Sequence, residues 1–288
     1  MASAVPQISN LIDLDRYPLH QPDSPRCQDL IDECRKYLRT DGCMVLPGFV
    51  RPDAVAELIG EADRVAPEAH RSFNDTNVYF SKDDESLPRS HPRRRFYRRS
   101  NAFVPADNFG TDSPLRAVYE WPHFMPFIRE ALEEPHDRFY RYADPLADVI
   151  INVVEAGGGF PWHFDTNNYT VTLSIQSGDS GGEFEYCPAL RTAEDENIGG
   201  VTAVLDGERG PVKSLKLGDG DLQIFRGRYA LHRVTAVEGA RTRYVGIFSF
   251  ADEPGMVARV ERCRQLYGRV LPVHLERERA VRNDRLSD

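Results

Sequence analysis

From Thr170 to Gln176 the side chains alternate: Thr170, Thr172, Ser174 and Gln176 are polar, and Val171, Leu173 and Ile175 are apolar. Successive side chains of an extended chain point to opposite faces, so this is a strand with one wet face and one dry face. A sheet of such strands packs its dry face on a core and encloses polar groups with the other, as a barrel or jelly roll does. Upstream, Gly157, Gly158 and Gly159 interrupt the apolar strand read at about 148–155 and permit a tight turn. No Gly-Lys-Ser/Thr follows them and strands flank both sides, so they do not read as a phosphate loop.

Between the glycines and the alternating strand stands His163-Phe164-Asp165. On extended backbone His163 and Asp165 share a face, and Phe164 turns away. An imidazole and a carboxylate held together supply two corners of a 2-His-1-carboxylate site, which leaves open positions on non-haem Fe(II). The third corner requires a distant histidine on a facing strand, and His232 in GDLQIFRGRYALHRVTAVEGARTRYVGIFSF is the candidate. Shortly after it, Arg243 opens the last apolar strand. Antiparallel neighbours joined by a short turn would set His232 and Arg243 side by side, where a guanidinium fork suits an acid co-substrate.

One His-x-Asp among eight histidines is a weak motif alone, and a single strand histidine is more often structural. The ordered set carries more weight: strand, His-x-Asp, strand, GGEF, a GDLQIF turn and strand, then His and Arg before a final apolar strand. The segments WHFDTNNYTVTLSIQ, GGEFEYCP and FRGRYALHRVTAVEGAR resemble the Fe(II)/2-oxoglutarate-dependent oxygenase superfamily, and are similar to its branch of free-amino-acid halogenases and hydroxylases. The resemblance is strong over residues 143–250. It implies an α+β, mainly β fold, a double-stranded β-helix (jelly roll) with flanking N-terminal and C-terminal helices. It also implies Fe(II) on His163, Asp165 and His232, with 2-oxoglutarate and O2 in the open positions, and succinate and CO2 as co-products. Halogenases of this branch carry a small residue where Asp165 stands, which vacates a site for chloride. Asp165 fills that place, so the resemblance implies hydroxylation.

The 288 residues suit one domain: 1–142 as helical cover and lid, 143–250 as jelly-roll core, 251–288 as C-terminal helix and tail. Ser24-Pro25 starts a helix whose inward face is Cys27, Leu30, Ile31, Cys34 and Leu38, and Gly42 stops it. A strand near 43–46, a helix from Pro52 and another over 124–132 follow, after an extended arm at 1–23. Residues 66–111 read as loose, and their basic run, Arg93 to Arg99, is either a solvated surface or part of a lid facing an anionic substrate group. Core strands fall near 148–155, 169–176, 182–186, 214–217, 222–225 and 243–250, and a helix over 254–267 carries a packing stripe of Met256, Val257, Val260, Cys263 and Tyr267. The net charge of −9 opposes nonspecific attraction to nucleic acid or anionic membrane. Five cysteines without a CxxC pair, and no apolar leader or span, point to reduced thiols and a cytoplasmic protein, monomer or homodimer.

Around the expected iron, Arg243 is the choice for the distal carboxylate of 2-oxoglutarate, with Arg241 in reserve. Asn152 and Thr172, polar within apolar strands, either line the co-substrate pocket or satisfy structural hydrogen bonds. Trp162, Thr166, Asn167 and Asn168 flank the metal strand and would face substrate, although Asn168 is also a turn former. Arg226 and Arg228 either bind a substrate carboxylate or decorate a surface. The expected substrate is a small polar molecule, a free amino acid or a derivative. Hydroxylation of a protein side chain, and a noncatalytic jelly roll that kept the pocket shape, are the alternatives.

Overall fold

The computed structural model describes residues 6–277; the tail residues 278–288 and residues 1–5 lie outside the described residues. The chain begins with α1 (Ile8–Leu11), α2 (Pro25–Thr40), β1 (Cys43–Leu46) and α3 (Pro52–Val65), followed by β2 (His70–Thr76) and β3 (Tyr97–Val104). Helices α4 (Pro114–Glu120) and α5 (Phe124–Leu132) lead to β4 (Tyr140–Arg141), β5 (Val149–Val154), β6 (Phe160–His163), β7 (Thr170–Gln176), β8 (Ser180–Gly181) and β9 (Phe184–Cys187). After α6 (Ile198–Leu205) come β10 (Lys213–Leu215), β11 (Leu222–Phe225), β12 (Leu231–Val234), β13 (Val237–Glu238) and β14 (Arg243–Ala251), then α7 (Val260–Tyr267) and α8 (Pro272–Arg277).

Two antiparallel sheets make the jelly roll. The larger runs β1-β11-β7-β14-β5-β3-β2, with β4 beside β14, and the smaller runs β10-β9-β12-β6. The alternation of β7 explains how they are used. Val171, Leu173 and Ile175 are fully buried among Leu38, Leu58, Leu115, Phe124 and Phe248, under the helices that cover the outer face of the large sheet. Each such side chain contributes roughly 1.5–3 kcal/mol by leaving water. Thr170 and Thr172, on the opposite face, line the cavity between the sheets.

The covering helices form for local reasons. Ser24 caps α2 by accepting the Cys27 N–H at 3.3 Å, Pro25 takes the first helical position, and Cys27, Ile31, Cys34 and Leu38 face inward. Gly42, at φ +70, ends the segment.

The structure corrects four expectations. Residues 66–111 are not a loose excursion throughout: β2 and β3 extend the large sheet, β3 pairing with β5. The arm at 1–23 contains α1, and Ile12 bridges Val50. His232 and Arg243 are not on paired neighbours. β12 pairs with β6 and β9 in the small sheet while β14 pairs with β5 and β7 in the large one, because residues 237–242 carry the chain across the sandwich. The helix expected over 254–267 is shorter, α7 covering only its second half, and residues 254–259 form a loop with Met256 and Val257 at a cavity wall.

A buried clasp fastens the end of the described chain. His274 Nδ1 accepts the Leu271 N–H at 2.9 Å, so its Nε2–H donates to Asp144 at 3.0 Å. Asp144 also accepts from the Leu146 and Ala258 N–H groups, at 2.8 and 2.9 Å. All five cysteines are free and buried, and among the described residues no helix is long and apolar enough to cross a membrane.

Candidate active site

Strand pairing brings the two histidines together. In the β6–β12 ladder His232 stands directly opposite His163, so the third corner comes from the adjacent strand rather than a facing one, and the ring centroids lie 4.1 Å apart. The register shifts between His232 and Val234, a bulge of the kind that re-aims side chains beside active sites. His163 Nδ1 lies 2.8 Å from the Pro161 carbonyl and His232 Nδ1 lies 2.8 Å from the Ala230 carbonyl. A carbonyl only accepts, so both Nδ1 atoms carry the proton and both Nε2 lone pairs are bare.

Those nitrogens converge on one oxygen. Asp165 Oδ1 is 3.6 Å from His163 Nε2 and 3.5 Å from His232 Nε2. Its other oxygen, Oδ2, accepts from Thr170 Oγ1 at 2.5 Å, and its backbone N–H donates to the Gly227 carbonyl at 3.1 Å. Gly227 is required here: a Cβ on it would lie 2.0 Å from Asp165 Oδ2 and 2.5 Å from Thr170 Oγ1. Burial drives the His163 pKa down to about 3, helped by the neighbouring His232, so the ring is a neutral donor at neutral pH. Two imidazole nitrogens and one carboxylate oxygen, with their other polar atoms already satisfied, fit a divalent metal.

A second group of metal-ligating type, Asp144, Cys263 and His274, fails that test. His274 spends both ring nitrogens and Asp144 both oxygens on the clasp described above.

The triad opens into a pocket of about 160 Å³ that Arg243, Asn152 and Thr172 also line. Arg243 is 7% exposed, and no carboxylate among the described residues lies within ion-pair distance of it. Burial alone lowers its pKa to about 10. A buried cation without a partner, at the end of a pocket that holds the triad, fits an anionic co-substrate. Asn152 donates to the Ala102 carbonyl at 3.2 Å and Thr172 donates to Gln223 Oε1 at 3.0 Å, so each lines the pocket while serving a structural hydrogen bond.

Other candidates fall elsewhere. Arg241 precedes β14 at the turn and pairs with Asp219 at 2.8 Å. Trp162 turns away from His163 by strand parity, and packs in the cluster of Val78, Phe164 and Leu231, with the Arg233 guanidinium 4.8 Å from its ring. Arg226 donates to the Leu132 carbonyl at 2.6 Å and sits 3.5 Å from Glu134, tying β11 to the end of α5. Arg228 is buried rather than on a surface and donates to the Thr166 carbonyl at 3.0 Å. Thr166 and Asn167 line the pocket at its junction with a larger cavity. Asn168 faces that larger cavity and donates to Asp252 at 2.9 Å.

Four residues beside the site were not legible as such. Thr170 and Gly227 shape the carboxylate. Phe80 packs on the His163 ring at 5.5 Å, with its backbone at φ 56. Arg99 belongs to the basic run but is fully buried, 4.5 Å over the Phe160 ring, where burial and Arg262 lower its pKa well below the usual range. The rest of the run is fastened differently, Arg94 to Asp83 at 3.0 Å and Arg95 to Asp206 at 2.6 Å.

Solved structures share this architecture. The chain is similar to the non-heme alpha ketoglutarate dependent epimerase SnoN from nogalamycin biosynthesis (14% identity, 80% of this chain and 88% of that chain, TM-score 0.55). It is also similar to AviO1 from Streptomyces viridochromogenes Tue57 (17%, 79% and 97%, TM-score 0.53). A third is an oxidoreductase of the 2OG-Fe(II) oxygenase family from Burkholderia pseudomallei (13%, 78% and 92%, TM-score 0.51). At these identities the likeness establishes the fold. No curated protein matches the chain by sequence. The profile of the Halogenase D family (HalD) matches residues 27–265, the two sheets and most of the covering helices included. The chain therefore belongs to the Halogenase D family and shares the fold of the oxygenases named above.

Proposed function

We propose that this protein is an Fe(II)- and 2-oxoglutarate-dependent dioxygenase that hydroxylates a small polar substrate, a free amino acid or a close derivative, and releases succinate and CO2. The observation that carries it is one pocket holding two bare imidazole nitrogens, the Asp165 carboxylate and a partnerless buried arginine. His163, Asp165 and His232 would hold the iron. When bound, it supplies the one-electron and O2 chemistry that no side chain provides.

The chain's own residues bind, orient and exclude. Arg243 neutralises the far carboxylate of 2-oxoglutarate, and Asn152 and Thr172 supply the polar wall beside it. The Nδ1–H bonds to Pro161 and Ala230 fix the tautomer of both ligands, and Thr170 with Gly227 fixes the rotamer of the third. Phe103, Phe160, Phe184 and Phe225 close the remaining walls against water, which protects the oxidising step from side reactions.

The Asp165 carboxylate supports hydroxylation within a family named for halogenation. It stands where a halide would otherwise enter, and its clamped geometry leaves no slack to withdraw. The reduced, buried thiols support a cytosolic setting.

The test is turnover with Fe(II), 2-oxoglutarate, O2, chloride and a pool of free amino acids, read by mass spectrometry. Succinate together with a product heavier by one oxygen atom is expected. Absence of substrate-stimulated succinate, or a chlorinated product, would overturn it.

A further inference from the structure

The pocket of the triad borders a second, larger cavity. That cavity has a volume of about 1150 Å³, and the residues lining both are Tyr142, Thr166, Asn167, Ala258 and Arg262. Anything that reaches the metal ligands from that cavity passes this ring. One member, Arg262, carries a charge.

Arg262 lies on α7, a different element from Arg243 on β14, so two separate cations serve the inner pocket. Its guanidinium is stacked 4.2 Å over the Phe80 ring, and Phe80 packs on His163, which fixes the charge beside the metal ligands. Its Nη1 donates to the neutral Gln265 Oε1 at 3.1 Å, and no carboxylate of the described residues lies within ion-pair distance. Of the charges that act on it, Arg99 repels it, and Asp165, which would hold the metal, attracts it. The outer cavity is balanced by contrast, its lining apart from Arg262 holding five basic and five acidic side chains. Positive charge is therefore concentrated at the ring. Phe80, which holds the guanidinium flat, adopts φ 56, a backbone region that bulky residues seldom enter and that clusters at ligand clamps.

We propose that Arg262 anchors a carboxylate of the primary substrate at the junction of the two cavities, so that the substrate is a carboxylic acid held by this group while its carbon chain points at the metal ligands. The proposal rests on the oxygenase assignment above and deepens it by naming the residue that holds the substrate's carboxylate. A planar guanidinium, already stacked and with donors to spare, meets a carboxylate with two parallel N–H bonds at little further ordering cost.

The experiment uses the full chain loaded with Zn(II) in place of iron and saturated with 2-oxoglutarate. Binding is measured by calorimetry for the twenty common L-amino acids, each as free acid and as carboxamide. At least one acid is expected to bind on the order of 10-fold or more tightly than its amide. That preference should vanish in Arg262→Gln and survive in part in Arg262→Lys, while both variants keep the 2-oxoglutarate affinity of the native protein. An acid preference absent from the native protein, or persisting in Arg262→Gln, overturns the assignment. Loss of 2-oxoglutarate binding in Arg262→Gln also overturns it, by moving Arg262 to the co-substrate. A native protein that binds no 2-oxoglutarate at all sinks the oxygenase assignment beneath it as well, and that result is distinct from the others.

Discussion

Replacing Arg243 by Gln separates co-substrate binding from everything else in the pocket. Burial lowers the guanidinium from its ordinary 12.5 to about 10, equivalent to about 3 kcal/mol of desolvation that no carboxylate of the described residues relieves. The group is 7% exposed, so solvent screening discounts that cost little. Its sign is unfavourable to the empty fold and fully present at neutral pH, relaxing only as pH rises through about 10. A carboxylate arriving at Arg243 recovers it. Arg243→Gln should therefore weaken 2-oxoglutarate binding by about 3 kcal/mol, on the order of 100-fold, while the protein without co-substrate melts at the same or a higher temperature. Anaerobic calorimetry with the Fe(II)-loaded protein measures the first and a thermal scan the second. Arg241→Gln, which breaks only the exposed pair with Asp219, is the control and should change affinity less than about twofold. Arg243→Gln binding within threefold of native, with the loss appearing in Arg241→Gln instead, would refute the assignment.

Asp165→Ala should lower metal affinity at least about 10-fold and abolish the oxygenated product, and in chloride it should give a chlorinated one; unchanged oxygenation removes Asp165 from the ligand set. Gly227→Ala puts a methyl group 2.0 Å from Asp165 Oδ2, so metal affinity should fall by about 10–100-fold in equilibrium dialysis, and native affinity would show that the carboxylate is free to move. His274→Ala strips the buried Asp144 of its partner and should cost about 2–4 kcal/mol by urea denaturation; a loss below about 0.5 kcal/mol would mean that the clasp holds nothing.

How much of this was legible depends on where each signal lay. The alternation in β7 foretold a wet and a dry face because both faces are occupied, one by apolar packing and the other by the pocket. Ser24-Pro25 and Gly42 marked the ends of α2 because capping is local chemistry. The edge strand β2 gave no such sign: Arg71, Phe73, Asn74 and Asp75 are exposed, so strict alternation was never imposed on it. Arg99 was hidden inside a run of arginines, since only strand pairing decides that Arg99 enters the core while Arg98 stays out. Strand parity would have corrected Trp162, which adjoins His163 in sequence and faces the other way for that reason. Arg243 and His232 are close along the chain yet belong to different sheets, and a crossing at 237–242 looks like a hairpin turn in one dimension. Arg262 carries no motif at all.

The bond between His274 and Asp144 has a consequence for how this protein can be handled. It joins residues 130 positions apart, and between them in sequence lies nearly every group assigned to chemistry here. The same Asp144 takes the Ala258 N–H, so the lead-in to α7 and the segment after it are moored to one post. A truncation that spares Arg262 but removes His274 would still release the wall on which that arginine rides. Trimming of this protein from its C-terminal side should stop short of position 274, even though the residues proposed to hold iron end at 232.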